Sequence, residues 1–165
     1  MLMAKTATVN LTTGEIAFAE TPSHLLRDYL GGRGLGARLL YDLVGPDVEP
    51  LGPDNYLIFT AAPLAGSPWP TSARMHVTFK SPATGAYGYA NTGGQIVAQL
   101  RHAGYDAILV TGRAPVPSVL RVVDDTITIV PAPELWGLQT GAVHDALLGP
   151  DGEKNQGCVA YRPSR

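Results

Sequence analysis

Over residues 6–19 apolar and polar side chains alternate in two short runs, TATVNL and EIAFAE, joined by Thr12-Thr13-Gly14. Alternation with a period of two on either side of a glycine-bearing turn predicts a β-hairpin. The period then lengthens. Leu25, Leu26, Tyr29 and Leu30 recur at helical spacing behind Thr21-Pro22, a pair that offers a capping hydroxyl and a proline for the first helical position. Gly31-Gly32 ends that stripe, and Leu35, Leu39, Leu40 and Leu43 form another that runs to Gly45-Pro46. GGRGLG, residues 31–36, thus reads as a glycine joint followed by a second helix.

Further along, residues 56–61 form a short apolar run suited to a buried strand. The next segment, APLAGSPWPTSA, has three prolines and no periodicity, and unstructured connections of about a dozen residues are uncommon and often functional. Alternation returns at residues 75–79, with Met75, Val77 and Phe79 on one face and Arg74, His76 and Thr78 on the other. A turn at Ser81-Pro82 leads to an aromatic strand over residues 87–90, the stretch Asn91-Thr92-Gly93-Gly94, and a helix over 95–103 that keeps Ile96, Val97, Leu100 and Ala103 on one face. AILVTG, SVLRVV and TITIV read as three more strands. QTGAVHDALLG reads as a last helix with Val143, Ala146 and Leu147 inward. Helices and strands are interspersed without regular alternation, and several strands are joined by hairpin-length turns. The expected class is therefore α+β with a mixed, largely antiparallel sheet, in one domain over residues 1–165.

Composition narrows the function. In 165 residues, 45% are hydrophobic and only 16% charged, so much of the surface carries no charge and suits a covering partner. A formal net charge of −2 without a Lys/Arg cluster argues against a nucleic-acid binder. No apolar run has the length of a signal peptide or a membrane span, which points to a cytoplasmic protein. A single cysteine, Cys158, can build neither a disulfide framework nor a thiolate cage.

The four histidines, His24, His76, His102 and His144, fall in different elements and suggest no metal site; His76 stands out because it shares a strand face with Arg74. No serine lies in a nucleophile elbow. GGRGLG follows a helix rather than a strand, against a dinucleotide fingerprint, and the plainer reading is glycine capping of a helix end. Trp69 and Trp136 are expected to pack. What remains is Arg74 after the proline-rich loop, together with Asn91 and the Gly93-Gly94 pair at a helix N-terminus. An arginine fork, free N–H groups and an Asn oxygen suit a phosphate-bearing ligand or its magnesium ion; the same residues also suit a plain strand-to-helix turn.

The order of the motifs VNLTTGEI, YLGGRGLGARLLYD, PLAGSPWPTSARMHVTFKSPATG, YANTGGQIVAQLRHAGYDAILVTG and ELWG resembles the N-terminal domain of the tungsten-containing aldehyde:ferredoxin oxidoreductase family, from about residue 6 to residue 148. The resemblance implies a layered α/β/β/α sandwich that cradles a tungsten (or molybdenum) bis-pyranopterin. It implies that Arg74 lies between pterin and cluster. Asn91 would be a metal ligand through its backbone carbonyl, on the Mg2+ that bridges the pterin phosphates, and Gly93 and Gly94 would form the adjoining cofactor-binding turn. The family oxidises aldehydes to carboxylates and passes electrons to ferredoxin. The cysteines of its [4Fe–4S] cluster belong to later domains, as do the groups that act on the aldehyde, and a glycine- and arginine-rich loop beyond this stretch completes the pterin site. The expectation is thus a subunit or fragment that works with a larger cysteine-bearing chain and is inactive alone. The alternative is a module that keeps the fold without cofactor, as a homo-oligomer.

Overall fold

The computed structural model describes residues 5–148. Its centre is a six-stranded sheet made of β1 (Lys5–Asn10), β2 (Ile16–Glu20), β3 (Leu57–Ala61), β4 (Met75–Lys80), β5 (Tyr87–Thr92) and β6 (Tyr105–Thr111), in the order β2-β1-β6-β3-β4-β5. Only β1 and β6 run parallel; the other neighbours are antiparallel. A separate hairpin, β7 (Ser118–Val123) with β8 (Thr126–Pro131), makes a second sheet. The class is the α+β fold with a mixed, mainly antiparallel sheet that the sequence pattern predicts.

Strand alternation sends successive side chains to opposite faces, and each face is covered differently. On one face α2 (Gly32–Leu43), preceded by α1 (Ser23–Tyr29), packs on β3 and β4, where Leu40, Ile58, Ala107 and Leu109 form a compact buried cluster. On the other, α3 (Gln95–His102) and the β7–β8 hairpin close over a larger core that includes Val9, Met75, Val97, Leu100, Tyr105, Ile108 and Ile127. The register slips by one residue where Lys5 opposes Tyr105 and Thr6 opposes Ala107, leaving Asp106 as an extra residue in β6. This bulge lets Tyr105 join Ile108 in the larger core, while Ala107 and Leu109 face α2. Fully buried Tyr105 donates from its hydroxyl to the Asp125 carbonyl at 2.6 Å, pinning the turn of the hairpin to the sheet. Asp106 pairs with Arg101 of α3.

Several details differ from the sequence expectation. The Thr21 hydroxyl does not cap α1; it is buried and hydrogen-bonds Thr6 at 2.9 Å. The glycine joint is shorter than it looks, because α2 already begins at Gly32. Trp69 and Trp136 are 68% and 63% exposed, so neither packs in the core. The last helix forms, as α4 (Thr140–Leu148), but Ala146 and Leu147 are exposed rather than inward. Cys158 lies outside the described residues.

Glycine sets the seating of α2. A Cβ on Gly36 would sit 2.7 Å from Thr78 Oγ1 and 3.3 Å from Thr60 Oγ1, and both threonines are fully buried. At the far end of β4, Lys80 is buried with its Nζ donating to the carbonyls of Gly45 (3.3 Å), Pro46 (2.5 Å) and Val48 (2.7 Å), which fastens the chain leaving α2. An ammonium has three donors, and all are used.

Two stability outcomes follow from these contacts. Gly36→Ala should lower unfolding free energy by about 1–3 kcal/mol through overpacking, despite the roughly 1 kcal/mol that alanine gains over glycine in helix propensity. The loss should shrink when Thr78→Ala is added, and additive losses in urea unfolding would refute the packing account. Lys80→Met should lower stability by about 2–3 kcal/mol by removing charge-assisted bonds to three carbonyls, read as a shift in the urea midpoint.

Candidate functional site

The antiparallel pairing of β4 with β5 decides which residues meet. Met75 opposes Thr92, His76 opposes Asn91 and Thr78 opposes Tyr89, so the start of β4 lies against the end of β5. Arg74, one residue before β4, donates from its backbone N–H to Ser72 and accepts from Ala62 N–H at 2.9 Å. The position of a Cβ on Gly93 is 3.3 Å from the Ala73 carbonyl oxygen, which places the Gly93-Gly94 turn directly beside Arg74. The candidates Arg74, Asn91, Gly93 and Gly94 are thus gathered at one end of the sheet, and all four are exposed.

The turn is narrower than the sequence suggests. Asn91 and Thr92 are the last residues of β5, and only Gly93 and Gly94 connect to α3. Gly94 has φ +89° and ψ −172°, a region open essentially to glycine alone. No side chain caps α3, so its first N–H groups remain available to an incoming acceptor. Among the described residues β5 is an edge strand, with no strand paired to its outer side.

Sequence reasoning passed over the contribution of α2. A Cβ on Gly32 would be 3.0 Å from His76 Cδ2, so the first turn of α2 rests on the His76 ring. The next residue, Arg33, lies over the Tyr89 ring with its guanidinium carbon 4.2 Å from the ring centroid. Tyr89 and Asn91 are two residues apart on the same face of β5. His76 Nδ1 is buried without a hydrogen-bond partner among the described residues. Its pKa is held below the usual histidine value, chiefly by burial and then by the charge of Arg33; a side-chain contact with Asn91 opposes the shift, and Arg74 adds to it. The signal available in the sequence was the pair of glycines four apart, Gly32 and Gly36, which leaves a bare helix stripe with Arg33 beside it.

The proline-rich loop is held over this end of the sheet at two points. A Cβ on Gly31 would meet Pro63 Cγ at 3.2 Å, and His102 Nε2 lies 3.2 Å from the Gly66 carbonyl oxygen. Between and beside these ties Leu30, Leu64 and Trp69 are 72%, 54% and 68% exposed. The result is a basic, glycine-lined edge with apolar side chains near it. Among the described residues no group of three or more His, Cys, Asp or Glu side chains could hold a metal ion. Nor is any helix there long and apolar enough to cross a membrane.

Comparison with known proteins identifies the family. Residues 6–160 match the family profile of the aldehyde ferredoxin oxidoreductase N-terminal domain. The chain is 40% identical to a tungsten-containing aldehyde ferredoxin oxidoreductase of Thermococcus kodakarensis over 88% of its own length and 26% of the relative's. It is 45% identical to one of Pyrococcus furiosus over 78% of its length and 21% of the relative's. A solved structure, the active-site complex of a benzoyl coenzyme A reductase with 1,5-dienoyl-CoA, superposes with a TM-score of 0.84 at 34% identity, covering 87% of this chain and 22% of that one. The chain therefore spans about a quarter of the relatives it matches. Over that span it belongs to the aldehyde ferredoxin oxidoreductase family, and corresponds to its N-terminal domain.

Proposed function

We propose that this chain, as one unit over residues 1–165, forms one side of the pterin site of a tungsten or molybdenum oxidoreductase. The observation that carries the reading is the junction of Arg74 with the Asn91–Gly94 segment at an exposed sheet end, where Arg74 makes no salt bridge among the described residues. These residues fit a phosphate-bearing cofactor. A guanidinium without a carboxylate partner, an uncapped helix start and a glycine pair that leaves the backbone accessible all favour an anion. In this reading Arg74 would orient the pterin, the Asn91 backbone carbonyl would offer an oxygen to Mg2+, and Gly93 and Gly94 would let the phosphates approach the backbone.

When bound, the metal supplies two-electron oxidation of an aldehyde to a carboxylate. This chain's own share is binding and orientation: the tethered loop over residues 62–74 and the exposed side chains of Leu30, Leu64 and Trp69 would exclude water once covered. The [4Fe–4S] cluster does not fit here, since the described residues hold no ligand group and the chain has one cysteine. We assign the cluster, the aldehyde pocket and the electron path to ferredoxin to a larger cysteine-bearing polypeptide, in a cytoplasmic complex.

Native mass spectrometry with elemental analysis tests the proposal on protein purified from its own source. The expected result is a complex with a larger chain carrying tungsten or molybdenum and iron. In that complex Arg74→Ala should cut bound tungsten or molybdenum severalfold. A metal-free homo-oligomer would overturn the reading in favour of a cofactor-free module, for which the exposed β5 edge with Tyr87 and Tyr89 is the natural pairing surface.

A further inference from the structure

We infer that Arg33 and Arg74 together form a two-arginine seat for a phosphate group, with Arg33 reaching it from α2 across Tyr89 and Arg74 from the start of β4. The inference rests on reading this end of the sheet as a phosphate site, and adds a residue from a third segment of the chain.

The geometry argues for it in three steps. First, Arg33 is positioned rather than loose. It follows Gly32, whose contact with His76 fixes where α2 begins, and its guanidinium stacks on Tyr89 at 4.2 Å. Stacking occupies the flat face of a guanidinium and leaves its N–H edge free to donate. Second, neither Arg33 nor Arg74 has a carboxylate partner among the described residues, whereas Arg27, Arg38 and Arg101 each do. Two uncompensated cations therefore flank His76: Arg33 follows Gly32, which lies against the His76 ring, and Arg74 precedes His76 by two residues on the same strand face. Holding such charges near each other is unfavourable until an anion joins them.

Third, the surroundings supply more donors and, among the described residues, no competing negative charge. The groups that bear on His76 are Arg33 from α2, Arg74 from its own strand and the neutral Asn91 from β5; no carboxylate is among them. Both α2 and α3 start at this end of the sheet, and neither N-terminus is capped by a side chain. The buried His76 Nδ1 is still without a partner. A phosphate group, with several oxygens and up to two charges, suits two forks approaching from separate elements better than a carboxylate, which a single fork already satisfies.

The test uses the full chain and inorganic pyrophosphate, with inorganic phosphate in parallel. Binding is followed by 15N NMR of the histidine ring nitrogens and by thermal shift. The expected result is saturable pyrophosphate binding that moves the His76 ring signals. Arg33→Gln should weaken binding about tenfold, the loss of a charge-assisted contact, and Arg33→Lys should weaken it less. Arg121→Gln, on the β7–β8 hairpin, should leave it unchanged. Unliganded melting temperatures check that each variant folds. Equal affinity for Arg33→Gln and the parent chain overturns the inference. If Arg74→Gln alone then abolishes binding, the cofactor-turn reading survives without Arg33. Absence of saturable binding by either anion also overturns the inference, while the metal content of the purified complex still decides the proposed function independently. Tight inorganic phosphate binding without preference for pyrophosphate would support the seat, but assign it to free phosphate rather than to a cofactor's phosphates.

Discussion

Side chains ordinarily hold a helix away from the sheet it covers. At positions 32 and 36 α2 has none, so its backbone comes down onto the His76 ring at one position and onto Thr60 and Thr78 at the other. Much of the candidate site depends on that contact. Raising the helix by the height of a methyl group would withdraw Arg33 from Tyr89, uncover His76 and loosen the point where Gly31 meets Pro63. Interiors are packed closely enough that such a shift could not be absorbed locally. Packing and site geometry are here the same contact seen from two sides.

One face of β4 shows how differently the fold treats its cations. Lys80, at one end, is buried and gives all three ammonium donors to backbone carbonyls. Arg74, before the other end, is exposed and makes no salt bridge among the described residues. Between them lie fully buried Thr78 and half-buried His76, each with an unpartnered polar atom. Hydrogen-bonding capacity is thus spent on structure at one end of the strand and left open at the other, which is where a ligand has something to gain.

Much of this fold was legible because its elements are short and strongly patterned. The faces of β4, the hairpins and the buried stripe of α3 follow from periods of two and of three to four residues. The juxtaposition of Arg74 with Asn91–Gly94 was legible only in part, since two neighbouring runs suggest a hairpin but not how far each strand extends; β5 claimed Asn91 and Thr92 from the supposed turn. Arg33 was missed because glycines beside a helix end look like caps, and nothing local says that the same glycines lie against a strand over 40 residues away. Trp69 and Trp136 were misjudged from the general habit of tryptophan, and α4 from its apolar pattern, which describes a side chain's preference and not whether a neighbour is there to meet it.

The pairing of β1 with β6 carries a consequence for how the chain is made. β1 lies between β2 and β6, and its parallel partner begins at Tyr105, 100 positions after Lys5. On a ribosome the β1–β2 hairpin would emerge early and wait with one edge unpaired, Ala7 and Val9 exposed, until β6 arrives. Contacts of such long range are slow to form, and an open edge is sticky while it waits. The six-stranded sheet can close only after α2, β3, β4, β5 and α3 have been added. Protection of the nascent hairpin by a chaperone would matter most in that interval, before any partner or cofactor has a site to find.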